Sequence, residues 1–156
     1  MDPLLPAALV SAALGLALGA APASATLFAL TLFAVTAVAT GSLHFPVDMQ
    51  RVALPGCWIS IVASAASVHR PSKILATALA CNAGLWLGCL IGTADVRMPL
   101  AGSAALVLIF LPVRQLHARL PVALKVVSSW LIAVAILAAT LPFIPVTPGY
   151  QPDHIE

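Results

Sequence analysis

Charged side chains are scarce in this chain. They make up 8% of its 156 residues, with seven Lys and Arg and five Asp and Glu. A soluble domain carries about 25% charged residues, so a water-facing globule of this composition is excluded. Because 62% of the residues are hydrophobic, lipid is the solvent that suits the remaining surface. We therefore predict an integral membrane protein whose first partner is the lipid bilayer.

A strong net charge and metal-type cysteine spacing are also lacking. The formal net charge is +2 and no basic run interleaves with aromatic residues, so we expect no nucleic-acid partner. Cys57, Cys81 and Cys89 lack the spacing of a zinc site or a CxxC redox pair. His44 and Met49 do not complete a copper site with Cys57, because the three are scattered. We expect no metal and no cofactor.

Ionisable side chains are missing from the interior of the long apolar segments, since every Asp, Glu, Lys and Arg falls in or beside a predicted loop. Intramembrane charge marks proton relays and voltage sensors, and an intramembrane carboxylate protease would need buried acids. These classes are disfavoured. No nucleophile with a partnered base is recognisable either. The sequence therefore predicts that the protein is not an enzyme.

Six apolar segments approach the ~20 residues that a membrane-crossing helix needs. They cover residues 4–21, 25–43, 54–68, 74–93, 99–113 and 122–143. We predict an all-α fold, a polytopic transmembrane bundle of about six helices over residues 1–145, and a proline-rich outer tail at 146–156. The third and fifth segments are short, because a helix of roughly 16 residues spans only about 24 Å. A four-crossing alternative, with these two segments re-entrant, therefore stays open.

Prolines and capping residues indicate where the segments end. Pro22 ends the first helix, and Ser24 and Ser72 are N-cap types for the helices that follow them. Pro46 and Pro55 are expected to bracket the second loop, with Pro55 at the start of helix 3. Residues 14–25 resemble the end of a cleaved leader, but no Lys or Arg precedes them. The first segment is therefore predicted to be a retained membrane helix.

The charges sort by loop, which indicates an orientation. The loops between helices 3–4 and 5–6 are flanked by Arg70, Lys73, Arg114, Arg119 and Lys125. The other side holds Asp2, Asp48, Arg51, Asp95, Arg97, Asp153 and Glu156. The positive-inside rule places the basic side in the cytoplasm, so both termini are predicted to lie outside a cell inner membrane. Six crossings are favoured because removing one helix would mix the two sets.

Small residues recur at four-residue spacing on two segments. Helix 1 carries Gly15 and Gly19, and helix 4 carries the ladder Ala80, Gly84, Gly88 and Gly92. Small side chains let membrane helices approach closely. The favoured interpretation is a helix crossing within one chain. A homodimer interface, and chance in a chain rich in Ala and Gly, are the alternatives.

The two long outer loops resemble each other. One contains Asp48, Arg51 and Pro55, and the other contains Asp95, Arg97 and Pro99. This echo suggests that the helical hairpins 3–4 and 5–6 are related by a parallel repeat. Many transporters are built from such repeats, with the substrate site at the repeat interface.

Asn82 is the deepest strongly polar residue, and it lies one turn before Trp86. An amide in hydrocarbon must find hydrogen-bond partners, so Asn82 either bonds another helix or lines a solute path. The outer loops hold a denser set: His44, Asp48, Arg51, Asp95 and Arg97. These residues form either local ion pairs at the interface, which contribute little, or one outer polar mouth.

Hydroxyl and aromatic side chains have simpler explanations. Thr36, Thr40 and Ser128 are expected to bond carbonyls of their own helices. Trp58, near a predicted helix end, suits the aromatic belt at the membrane interface. Trp130 lies deeper, where packing inside the bundle is expected.

A central stretch carries a family resemblance. It consists of residues 67–75, Gly84-Leu-Trp86-Leu-Gly88, Ile91-Gly92 and Val113-Arg114. Over about a third of the chain it resembles the bacterial YgjV-type inner-membrane proteins, small multi-helix proteins with a basic hairpin turn. The resemblance implies the topology above. It implies no activity, because the family has none that is well defined.

Two functions follow from these patterns. The leading prediction is non-enzymatic passage of a small neutral or weakly charged solute, which depends on the repeat, the helix 4 ladder and Asn82. The alternative is an accessory or structural subunit that packs against a larger membrane complex. The few polar groups inside the segments favour the alternative, because a pore usually has a polar lining.

Overall fold

The computed structural model describes residues 4–43, 47–69, 72–91, 97–116 and 121–143, and within them the chain is entirely helical. The elements are α1 (Leu4–Ala20), α2 (Ala23–Gly41), α3 (Val47–Ser67), α4 (Lys73–Ile91), α5 (Arg97–Leu116) and α6 (Pro121–Thr140), followed by a 3-10 turn at Leu141–Phe143. The predicted all-α class is confirmed.

Membrane-crossing character is strongest in three helices. The spans Ala23–Gly41, Lys73–Leu90 and Pro121–Thr140 are long and apolar enough to cross a bilayer. Shorter apolar stretches, Leu5–Ala20, Val52–Ser67 and Ala105–Gln115, lie in the other three helices. The prediction of a membrane helix bundle is supported at this level.

The helix boundaries differ most from prediction at α3. It begins at Val47 rather than at residue 54, so Pro55 lies well inside it rather than at its start. Its 21 residues reach about 32 Å at ~1.5 Å per residue, so α3 is not short. The fifth helix likewise extends beyond residues 99–113, to Arg97–Leu116, and contains Pro112. Proline lacks the N–H that a helix interior uses, so it usually marks a helix end. A proline inside a helix is therefore easily read from sequence as a boundary.

The two predicted caps had opposite outcomes. The Ser72 hydroxyl accepts a hydrogen bond from the Leu75 N–H at 3.1 Å, so Ser72 caps α4 as predicted. The prediction for Ser24 was wrong, because α2 begins at Ala23, two residues before the predicted start, and its N-cap is Pro22, which makes no side-chain cap bond. The ring of proline fixes φ near the helical value, which suits a helix start.

The first helix is the centre of the fold. From Val10 to Ala21 nearly every side chain of α1 is buried. It packs most extensively on α5 and also contacts α3, α4 and α6. In contrast, α2 packs mainly on α4, and α6 mainly on α3. The peripheral helices α2 and α6 therefore direct broad apolar faces outward.

Contacts at glycines define the direction of α1 relative to α5. Gly15 lies against the Leu106 carbonyl, and Gly19, one turn later, lies against Val113. Both sets of residue numbers rise together, so α1 and α5 are parallel. Near the end of this crossing Arg114 donates a hydrogen bond to the Ala21 carbonyl at 3.4 Å, which holds the α1–α2 turn beside the end of α5.

The α2–α4 pair has the same geometry. Gly84 lies against the Phe33 carbonyl and Thr36, and Gly88 lies against the Ala37 carbonyl and Thr40. These helices are therefore parallel too.

The predicted repeat of hairpins 3–4 and 5–6 is not confirmed. The helices α3 and α4 pack closely, whereas α5 and α6 are not a closely packed pair within the described residues. The helices α5 and α6 therefore lack the close packing that joins α3 and α4 into a hairpin.

Two tryptophans lie on unexpected faces. Trp58 is buried in the core, and Trp130 is 60% exposed on the outer face of α6. Trp58 therefore packs inside the bundle, and Trp130 does not. Depth along a segment was the sequence signal used, whereas the face of the helix decides burial.

Candidate functional site: a polar chain between α3 and α4

Asn82 is the central residue of α4 (Lys73–Ile91) and takes part in a hydrogen-bonded chain. The Trp86 Nε1–H donates to Asn82 Oδ1 at 3.0 Å. Asn82 Nδ2 in turn donates to Ser60 Oγ on α3 at 2.6 Å, and the Ser60 hydroxyl donates to the Gly56 carbonyl at 2.7 Å. Four polar groups from two helices are thus joined, as hydrocarbon surroundings require.

Gly56 makes room for this chain. A Cβ at this position would lie in the ring of Trp86, so the indole sits flat on the glycine backbone. The antiparallel crossing of α3 and α4 therefore depends on a missing side chain at Gly56 and a large one at Trp86. The sequence pattern singled out Asn82 and Trp86, but it did not identify Gly56 and Ser60 as their partners.

The amide of Asn82 keeps hydrogen-bonding capacity. A carboxamide has two donor hydrogens and an acceptor oxygen with two lone pairs. The described bonds use one hydrogen and one lone pair, and the side chain is only partly buried. A small solute at this position would therefore find one donor and one acceptor in the middle of the bundle.

The hydroxyls of α2 and α6 bond their own backbones, as predicted. Thr36 Oγ1 donates to the Leu32 carbonyl at 2.8 Å and Thr40 Oγ1 to the Thr36 carbonyl at 2.6 Å. Ser128 Oγ donates to the Lys125 carbonyl at 3.0 Å. In contrast, the buried Ser11 hydroxyl has no hydrogen-bond partner among the described residues. Nothing in its sequence context distinguishes Ser11 from a packing serine.

The predicted outer mouth lies outside the part of the chain that the structure describes in detail. His44 and Asp95 are outside the described residues. The backbones of Asp48, Arg51 and Arg97 belong to helix ends, but their side chains are not described. The mouth therefore stays a prediction. Gly92 of the helix 4 ladder is likewise outside the described residues, whereas Ala80, Gly84 and Gly88 are buried.

An apolar groove of about 780 Å³ runs along the contact between α3 and α6. Its walls include Trp58, Ile59 and Val62 from α3 and Ala135 and Ala139 from α6. A smaller cavity of about 410 Å³ lies between α2 and α4, beside Lys73 and Cys81. Neither space is lined by Asn82, so the polar chain faces elsewhere.

No cluster of three or more His, Cys, Asp or Glu side chains that could hold a metal ion occurs among the described residues. Cys57, Cys81 and Cys89 are free thiols. The strongest chemical feature of the described bundle is therefore the neutral chain from Trp86 to Gly56.

No protein-family model, curated protein or solved structure matches this chain. The resemblance to YgjV-type proteins therefore stays a prediction, and function is argued from the chain's own residues.

Proposed function

We propose that all six helices cross a bacterial inner membrane. The parallel pairs α1–α5 and α2–α4 and the antiparallel pair α3–α4 support this arrangement, because six alternating crossings require these relative directions. With 17 to 21 residues each, the helices reach about 25–32 Å, close to the ~30 Å hydrocarbon core.

The orientation rests on the charges. Lys73, Arg114 and Lys125 lie at the side where α4 and α6 begin and α5 ends, and the positive-inside rule makes that side cytoplasmic. A carboxy-terminal alkaline phosphatase fusion is expected to be active and a fluorescent-protein fusion dark. The reverse pattern, with fusions after Ser72 as the cytoplasmic control, would contradict the orientation.

The function that the geometry supports best is passage of a small neutral or weakly charged solute. Asn82 carries this proposal, because its partly exposed amide offers a spare donor and a spare acceptor at the middle of α4. A solute that leaves its hydration shell needs such groups along its path. The α3–α4 crossing beside Asn82 is therefore the surface along which we propose that the solute passes.

Replacing Asn82 with leucine is expected to slow passage along that path. Purified protein in liposomes should speed re-swelling after osmotic shrinkage for at least one solute without net charge, from a panel such as glycerol, urea, ammonia and small amino acids. Asn82→Leu should lower this added permeability about tenfold, because one lost hydrogen bond in a dry site costs roughly 1–3 kcal/mol. Stopped-flow light scattering measures the rate.

Thr77→Val is the matched control, since Thr77 lies on the same helix and bonds only its own backbone, to the Lys73 carbonyl. It should leave permeability unchanged. Equal rates for Asn82→Leu and the parent chain, or no rate above empty liposomes for any solute, would remove the passage function.

A second function, as an accessory subunit, is favoured by a different observation. The groove between α3 and α6 and the exposed apolar residues of α6, among them Val126, Trp130 and Ile136, form a broad lateral surface. Purification from native membrane in mild detergent should then retain a larger partner. Migration as a monomer or homodimer alone would eliminate this function.

A further inference from the structure

Each helix of the first half has a counterpart in the second half, at a shift of 69 residues for α1 and of 73 residues for α2 and α3. Adding 69 to the bounds of α1 gives 73–89, against Lys73–Ile91 for α4. Adding 73 to α2 gives 96–114, against Arg97–Leu116 for α5, and adding 73 to α3 gives 120–140, against Pro121–Thr140 for α6. The shift rises by four between α1 and α2 because the connection α4–α5 is longer than the connection α1–α2.

The counterparts carry the same motif. Helix α1 contains Gly15-Leu-Ala-Leu-Gly19, and α4 contains Gly84-Leu-Trp-Leu-Gly88, at the shift of 69. Both motifs are the sites of close helix crossings. A shared sequence at a shared structural position is stronger evidence for a repeat than either observation alone.

The two crossings have the same register. A Cβ on Gly15 would lie 2.8 Å from the Leu106 carbonyl oxygen, and one on Gly84 would lie 2.6 Å from that of Phe33. One turn later, Gly19 faces Val113 with 2.8 Å to its Cβ, and Gly88 faces Thr40 with 2.8 Å to its Cβ. Leu106 and Val113 are the counterparts of Phe33 and Thr40 at the shift of 73.

The partners are exchanged between the halves. Helix α1 packs on α5, the counterpart of α2, while α4 packs on α2 itself. Three helices per half reverse the direction of the second half in the membrane, so the halves form an inverted repeat. Such halves are common in transporters that alternate their opening between two sides.

The halves differ in one helix. The α3 face formed by Ala53, Cys57, Ser60 and Ser64 is buried on α1 and α4. Its counterparts on α6 are Val126, Trp130, Ala133 and Leu137, and all four are exposed, Val126 by 63% and Leu137 by 59%. Accordingly, α3 packs on both α1 and α4, whereas α6 touches α1 only slightly.

We propose that α3 and α6 exchange roles, so that the described structure is one of two states. In the other state α6 closes onto α1 and α4 through the face of Trp130 and Ala133, and α3 leaves them. The crossings α1–α5 and α2–α4 stay intact in both states, because glycine contacts against backbone leave no room to slide. This exchange depends on the six-crossing arrangement proposed above but on no solute, so its failure is distinguishable from failure of the permeability test.

Cysteine cross-linking tests the exchange. Ser60 bonds Asn82 in the described state, and the counterparts of these residues are Ala133 at the shift of 73 and Ala13 at the shift of 69. In a background of Cys57→Ala, Cys81→Ala and Cys89→Ala, the pair Ala13→Cys with Ala133→Cys should form an intrachain disulfide in native membranes. Visits to a minor state are captured cumulatively, so the rate should exceed that of the control at least about tenfold.

The control pairs fix the interpretation. Ser60→Cys with Asn82→Cys should cross-link as the described state. Ala13→Cys with Ala135→Cys should not, because Ala135 is buried on the opposite face of α6 and lines the groove against α3. A cross-link of the 13/133 pair no faster than that of the 13/135 pair, or one found only between two chains, would overturn the exchange.

Trp130 gives a second readout. In a chain with Trp58→Phe and Trp86→Phe, brominated lipid should quench Trp130 strongly, because it is 60% exposed. Oxidation of the 13/133 pair should reduce this quenching at least about twofold, as expected for population of a buried state. Unchanged quenching in the cross-linked chain would show that α6 keeps its outward face, and the exchange would be lost.

Discussion

Gly84→Leu should unfold or grossly destabilise the bundle, because the α2–α4 crossing has no space for a side chain at this position. A Cβ on Gly84 would meet the Thr36 hydroxyl and would lie 2.6 Å from the Phe33 carbonyl oxygen. The hydroxyl could rotate, but the carbonyl belongs to the helix backbone and cannot move without shifting α2. The substitution therefore separates the two helices along their whole contact.

The expected loss of stability is large. Overpacking a well-packed interior costs about 1–3 kcal/mol when side chains can adjust, and a backbone obstacle places Gly84→Leu at or above roughly 3 kcal/mol on that scale. Close approach at small residues is also the main source of helix association in lipid, where burial of apolar surface gives no driving force. The midpoint of thermal aggregation in mild detergent, followed by size-exclusion chromatography, measures the change.

Ala78→Leu is the matched control on the same helix, because Ala78 is exposed. It should leave the midpoint within a degree or two, as surface substitutions usually do, with changes of about 0.5 kcal/mol or less. A midpoint for Gly84→Leu equal to that of Ala78→Leu would mean that α2 does not pack on Gly84. The small-residue ladder would then be available to a second copy of the chain, as the homodimer alternative requires.

The existence of the helices was predictable, and the reason is the medium. In lipid every backbone N–H and C=O must be bonded internally, so an apolar run of sufficient length can only be a helix. The boundary of α3 was not predictable in the same way. Asp48, Arg51 and Pro55 together mark a loop by composition, yet the helix begins before all three. Polar residues at a helix end and a proline inside a membrane helix are both tolerated.

The choice of helix partners was also beyond the sequence alone. Gly15 and Gly84 mark the faces that approach another helix, because only small residues allow it. They do not say which helix arrives, and the partners are α5 and α2 rather than sequence neighbours. The motif shared by α1 and α4 was readable in the sequence, but its meaning depends on the common register against Leu106 and Phe33.

The polar site was half predicted. Asn82 stands out because a lone amide in an apolar run must be bonded, and Trp86 stands out by size. Ser60 and Gly56 have no such signal, since serine and glycine are ordinary packing residues in membrane helices. The burial of Trp58 and the exposure of Trp130 show the same gap. An apolar helix in lipid lacks the polar face that would mark its outside, so its inward side cannot be assigned from periodicity.

The membrane assignment itself is tested on the outer face of α2. This helix exposes Leu27, Phe28, Val35 and Val38, and only 17% of its apolar window is buried inside the bundle. Such a surface is stable in water only if it is covered, whereas in a bilayer lipid covers it. Val35, 57% exposed near the middle of the helix, is the position where the two environments differ most.

If the outer face of α2 meets lipid, Val35→Arg should therefore prevent insertion of the helix. If that face meets water, the charged side chain should have little effect. An arginine near the centre of a crossing helix costs about 2.5–3.5 kcal/mol of insertion free energy. This corresponds to a shift of roughly 100-fold, since each ~1.4 kcal/mol is a factor of ten. The expected result is loss of the full-length chain from the carbonate-resistant membrane fraction, and aggregation of the remainder in mild detergent.

Ser24→Arg is the control for Val35→Arg, because Ser24 is exposed in the first turn of the same helix. At that position the long side chain reaches the interface and keeps its charge in water, so membrane integration should equal that of the parent chain. Equal integration of both variants would mean that the outer face of α2 does not meet hydrocarbon. A partner protein would then have to cover that face, and the lipid-exposed surface assigned to α2 would be withdrawn.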